Sequence, residues 1–138
     1  MIIYFSFKEL IYSSTANAYG VSNIPERLDI YRNLYNLMEN LLDPLRKELG
    51  VPIRVLSGYR CEKVNQIVGG VPNSQHCEGE AADITTLDNN KLRQLWGLIK
   101  SNRWDFDQAI YYEERRFIHV SLRRMSENRR QTIVNYST

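Results

Sequence analysis

The chain has only two histidines, His76 and His119, and they lie far apart in sequence. If both serve one site, the fold must bring a mid-chain loop against a segment near the C-terminal end. His76 sits in Ser74-Gln75-His76-Cys77-Glu78-Gly79-Glu80-Ala81-Ala82-Asp83, and His119 sits in Phe117-Ile118-His119-Val120-Ser121. Asp83 follows two small apolar residues in a segment that reads as a buried strand. A bare carboxylate there is costly unless it is paired or bound to a metal. Two imidazoles, one carboxylate and a fourth position left to water make the donor set of a catalytic zinc site. Each residue has a plainer reading when taken alone. His76 could be a surface loop residue, Asp83 a strand-end cap or an arginine partner, and His119 a half-exposed strand residue without a task. Together they are better explained by a metal held by His76, Asp83 and His119.

The final strand supports this. Ile118, Val120 and Leu122 alternate with Phe117, His119 and Ser121, so an aliphatic core face leaves His119 on the opposite side. Gly79 allows a close backbone approach or an unusual turn in the loop. Ser74 is placed to hydrogen-bond within that loop and orient a ligand. Cys77, next to His76, is expected to point elsewhere and to pack, as is Cys61. With two cysteines and no CxxC pair, a four-thiolate site is excluded. A disulfide between the two has no support, and reduced thiols are the default.

A chain of 138 residues fits one domain, taken here as residues 1–138, and needs neither disulfides nor metal merely to fold. The net charge of +2 gives no argument for nucleic acid. Arg123, Arg124, Arg129 and Arg130 cluster late in the chain. They read either as a solvated surface or as a patch favouring an anionic polymer such as a cell wall. The N-terminal segment lacks the basic start and the apolar length of a signal peptide, and no stretch is long enough to span a membrane. The expectation is a monomer made in the cytoplasm.

Apolar periodicity predicts a short helix around Phe7–Ile11, then loop at Ser13-Ser14-Thr15. A long helix is expected from Glu26 to Leu49, kinked or interrupted at Pro44 and ended by Gly50. Strands are expected at Ile53–Ser57, Ala81–Ile84, Gln108–Tyr112 and Phe117–Leu122. Helices are expected at Glu62–Val68 and after a cap at Asn89 or Asn90. The order is not a regular alternation, which implies α+β: helices packed on a small, mainly antiparallel sheet.

Ser57-Gly58-Tyr59-Arg60, Asn65, Val68-Gly69-Gly70, the Ser74-x-His76-x-x-Gly79-x-Ala81-x-Asp83 string and Ile118-His119-Val120-Ser121 together resemble the zinc D-Ala-D-Ala carboxypeptidase family. The similarity runs from Phe7 to about Arg130. It implies a compact α+β fold with one Zn2+ held by His76, Asp83 and His119. The implied activity is hydrolysis of peptidoglycan stem peptides by a carboxypeptidase or a phage-type L-alanyl-D-glutamate endolysin. The absence of a signal peptide fits a lysin that reaches the wall with help. A wall-binding or virion module that keeps the metal without catalysis is the alternative.

Arg60 matches the family arginine that steadies an oxyanion or a substrate carboxylate; its plainer reading is a structural ion pair. Tyr59 reads as packing. Many members place a glutamate three residues before the distal histidine, but here that residue is Arg116, which cannot serve as a base. Other members carry a glutamate at the end of the preceding strand, which points to Glu113, with Glu114 second. A three-residue turn, Glu114–Arg116, would pair Glu113 with Phe117 and give it the face of His119. A two-residue turn would point it away. Glu78 and Glu80 are reserve candidates expected to face solvent.

Overall fold

A computed structural model describes residues 1–101 and 103–135. Two short helices begin the chain, α1 (Phe7–Ile11) and α2 (Ser14–Tyr19). Ser6 and Ser13 cap them, their hydroxyls accepting from the backbone N–H groups of Glu9 and Ala16. The expected loop at Ser13–Thr15 is therefore a helix start. Small hydroxyl residues serve loops and caps alike, and no apolar stripe marks so short a helix.

The long helix is continuous but not uniform. α3 (Leu28–Leu37) passes through a π turn at Met38–Leu42 into α4 (Asp43–Leu49). Asp43 N–H donates to the Met38 carbonyl five residues back. The wider turn lies immediately before Pro44, which has no N–H and whose ring crowds the preceding turn. The expected interruption is thus absorbed by one loosened turn. Gly50, at φ +80°, ends the helix.

The remaining elements are β1 (Arg54–Ser57), α5 (Glu62–Ile67), β2 (Ala81–Thr85), α6 (Asn89–Lys100), β3 (Gln108–Tyr112), β4 (Phe117–Ser121) and β5 (Gln131–Asn135). Asp88, rather than either asparagine, caps α6, its carboxylate accepting from the N–H groups of Asn90 and Lys91. The five-stranded sheet runs β1-β2-β4-β3-β5. Its pairs are antiparallel except β3 with β5, which are parallel. This is the expected α+β architecture with a mainly antiparallel sheet. β5 was not anticipated: it is a largely exposed edge strand with no alternation to betray it.

One face of the sheet carries Ala82, Ile84, Ala109, Tyr111, Ile118 and Val120 into a core shared with Leu34, Leu37, Leu41 and Leu45 of the long helix and with Leu92, Leu95, Trp96 and Ile99 of α6. Most of these side chains are fully buried, and burying each large one stabilises the fold by about 1.5–3 kcal/mol before entropic costs. The other face of β2, β3 and β4 is left to line a cleft.

Candidate metal centre

In β4 the strand alternation works as the sequence pattern requires. Ile118 and Val120 are fully buried, while His119 is half-buried on the opposite face. β2 runs antiparallel beside it, and the register pairs Asp83 with His119. Directly opposed residues on one face bring their side chains together, and here His119 Nδ1 lies 3.0 Å from Asp83 Oδ1.

His76 arrives from a short 3-10 turn, Gln75–Glu78, which leads into β2. The Ser74 hydroxyl accepts from the His76 backbone N–H and caps this turn, matching the orienting role expected of it. Gly79 closes the turn at φ +75°, and a Cβ there would stand 2.8 Å from the Ile30 carbonyl oxygen. Left-handed backbone and close contact with the long helix both demand glycine. The buried imidazole is then fixed from the other side. Its Nδ1 lies 2.7 Å from the Gly58 carbonyl, and the His76 carbonyl accepts from Arg60 N–H at 3.0 Å. A carbonyl only accepts, so Nδ1 carries the proton and Nε2 keeps its lone pair. Nε2 lies 3.4 Å from the same Asp83 oxygen that faces His119.

His76, Asp83 and His119 thus present one ligand atom each, all within 4.8 Å of one another. The donor set fits zinc: two imidazole nitrogens and one carboxylate oxygen, with the proton of one imidazole fixed by a backbone carbonyl on its far side. Burial of Asp83 opposes its ionisation. The neighbouring imidazoles, with the hydrogen bond between His119 and Asp83 foremost, outweigh that and hold the carboxyl below the usual carboxylate range. Its second oxygen faces Arg60 Nη2 at 3.5 Å.

Arg60 is held by its neighbours. Nε donates to Ser57 Oγ at 3.1 Å and Nη1 to Asn65 Oδ1 at 3.2 Å. Asn65 in turn donates to the Val71 carbonyl, so α5 and the following loop lock the guanidinium at the edge of the centre. The segment carrying Gly58 is fixed as well. A Cβ on Gly58 would collide with the Leu10 carbonyl. Buried Asn23 donates to the carbonyls of Ile11 and Tyr59 and accepts from Cys61 N–H. Tyr59 is buried, as its packing role requires.

The centre opens into a cleft of about 700 Å³, walled by the Val68–Val71 loop on one side and by Gln108, Ile110, Tyr112 and Phe117 on the other. Arg60, Arg115, Arg123 and Arg129 also line it. Neither Glu113 nor Glu114 is among the described lining residues. The expected three-residue turn is not formed. Tyr112, not Glu113, pairs with Phe117, and the turn is the four residues Glu113–Arg116, with Arg116 at φ +60°. Tyr112 therefore takes the face of His119 and stacks on Phe117, with centroids 4.6 Å apart. Burial raises the pKa of the Tyr111 phenol, on the core face, and the charge of Glu113 raises it further. Glu78 pairs with Arg27, while the half-buried carboxyl of Glu80 accepts from Arg124 N–H and is pushed up by burial. Glu80 is thus engaged rather than solvent-facing, and neither residue lines the cleft. Cys61 and Cys77 are free thiols.

Sequence reasoning missed Asp107. It is fully buried, yet it anchors Arg123, Arg129 and Gln75 at the cleft wall. Its position just ahead of β3 was the only signal.

No curated protein matches the chain. A family model described as Peptidase M15 matches residues 3–121, from ahead of α1 to the end of β4. The matched span contains the whole His76–Asp83–His119 centre together with Arg60, and the chain belongs to the peptidase M15 family.

Proposed function

We propose that the protein is a zinc-dependent peptidase that hydrolyses peptide bonds in peptidoglycan stem peptides, as a carboxypeptidase or an endolysin-type endopeptidase. The observation that carries this reading is the convergence of His76, Asp83 and His119, with both imidazoles against Asp83 Oδ1, in a cleft of a chain of this family. Held by these three, zinc would supply a Lewis acid for the scissile carbonyl and lower the pKa of a bound water. Gly58 and Ser74 keep the His76 ring in its tautomer and place. Arg60, fixed by Ser57 and Asn65, presents positive charge where an oxyanion would develop.

Among the described residues lining the cleft, Asp83 is the only carboxylate. The face of β3 that looks at His119 ends in Tyr112, and Glu113 stands one position out of phase. A positioned base contributes about 10²–10⁴-fold, so turnover is expected to be slow. The same observation favours a second reading, in which the domain holds zinc and binds wall peptide without cutting it.

Digestion of purified cell walls separates the two. The first reading predicts new amino termini, abolished by chelator and restored by zinc. Wall binding with no new termini under all three conditions selects the second.

A further inference from the structure

The four late arginines divide in the fold. Arg124 Nε donates to Asn33 Oδ1 at 2.6 Å, and Arg130 Nε donates to Asp105 Oδ1 at 3.2 Å. Arg123 and Arg129 instead line the cleft that holds the His76–Asp83–His119 centre. Both are fixed by one carboxylate. Asp107 Oδ1 accepts from Arg129 N–H and Arg129 Nε and lies 3.2 Å from Arg123 Nε, and Oδ2 accepts from Arg129 Nη2 and Gln75 Nε2. The Asp107 side chain is fully buried, while those of Arg123 and Arg129 are 34% and 49% exposed. Two guanidinium groups share one negative charge, so one positive charge remains at the cleft wall. Arg123 Nη1 donates to the Glu127 carbonyl at 3.5 Å, and among the described residues no hydrogen bond engages Arg123 Nη2 or Arg129 Nη1. Asp107 stays ionised between the two arginines: burial opposes its ionisation, but hydrogen bonds and charge from Arg129, then charge from Arg123, bring its pKa down to about 2.

We infer that Arg123 and Arg129 form an anion subsite that selects a peptide carboxylate within about four residues of the bond to be cut. The inference rests on the peptidase reading and narrows its substrate. Arg123 lies four residues beyond His119, about 13 Å if the chain stays extended. An extended peptide reaches that far in about four residues. Planar guanidinium N–H groups match a carboxylate in a two-pronged arrangement. Arg115, at the other end of the cleft, lies over the Phe117 ring at 5.1 Å and has no buried carboxylate to fix it, so it lacks this preorganisation.

The test uses the zinc-loaded protein and three synthetic stem-type peptides: one with a free C-terminal carboxylate and an internal acidic residue, its C-terminal amide, and its internal glutamine analogue. Binding is measured by calorimetry and cleavage by release of amino termini. At least one neutralised peptide should bind about tenfold more weakly than the parent peptide, and which one identifies the carboxylate that is read. In Arg123→Gln that preference should fall below about threefold, and in Arg123→Lys it should be partly kept. Equal binding of all three peptides to the unmodified protein, or a preference undiminished in Arg123→Gln, overturns the subsite. Acid-selective binding without cleavage sinks the peptidase reading and leaves the subsite standing; cleavage without acid preference does the reverse.

Discussion

The two faces of the central sheet are built from the same three strands by opposite rules. On the core face, Ile84, Ala109, Ile118 and Val120 are fully buried and packed by the long helix and α6. On the cleft face, Asp83, Ile110, Tyr112 and His119 alternate with those core residues, and Asp83 meets the imidazoles of His119 and His76 and the guanidinium of Arg60. The core face tolerates error in detail, because burial is non-directional and roughly proportional to area. The cleft face does not, because its function depends on which atom points at which.

The sharpest break of that contrast comes from the ligands. Asp83→Ala should remove zinc binding and any hydrolysis together. The loss of affinity should exceed the roughly 10–100-fold that follows loss of an outer partner, as measured by zinc titration. The variant should stay folded, since only a half-buried polar group is removed. The converse experiment touches the adjacent residue of β4. Ile118→Ala should cost about 2–5 kcal/mol in denaturant unfolding and still take up zinc at the same stoichiometry. If the two variants behaved alike, the two faces would not be independent.

A smaller effect concerns Asp107. Its carboxyl titrates at about 2, below its ordinary value, so the stabilisation is present above the ordinary carboxylate range and is lost as pH falls through about 2. Replacing it with asparagine should remove on the order of 2 kcal/mol near neutral pH and flatten that acid limb. Equal acid sensitivity of parent and variant would count against the Asp107 anchor.

The smallest expected changes probe the register. Tyr112→Glu places a carboxylate on the face of His119 and should raise the turnover number about tenfold or more. Glu113→Gln should leave zinc affinity and turnover within about twofold. A large loss of turnover in the second variant would mean that the hairpin turn repacks around substrate.

The same contrast explains what was legible in the sequence. The alternation of Ile118, His119 and Val120 fixes its own parity, because buried aliphatics on one side leave the histidine on the other. The Ser74–Asp83 string carries its geometry locally, through a capping hydroxyl, a left-handed glycine and a strand of small residues. The phase of β3 relative to β4 depends instead on the length of the turn. Glu113-Glu114-Arg115-Arg116 contains no glycine or asparagine to mark it, so a three-residue reading and the observed four-residue turn could not be told apart. One residue of error exchanges Glu113 for Tyr112. β5 was illegible for another reason. Contacts distant in sequence hold it beside β3: Arg130 N–H bonds to the Phe106 carbonyl and Gln131 N–H to the Asp107 carbonyl. The π turn ahead of Pro44 was legible as a disturbance but not as its remedy, because the packing of Met38, Leu41 and Leu42 decides whether the helix breaks or loosens.

Metal content tests the central claim most directly. The protein should be purified, stripped with chelator and titrated with zinc, alongside the His76→Ala and His119→Ala variants. One zinc ion per chain in the unmodified protein, with stoichiometric binding lost in each variant, is the predicted result. Absence of stoichiometric binding in the unmodified protein, or binding unchanged when either imidazole is removed, would contradict it.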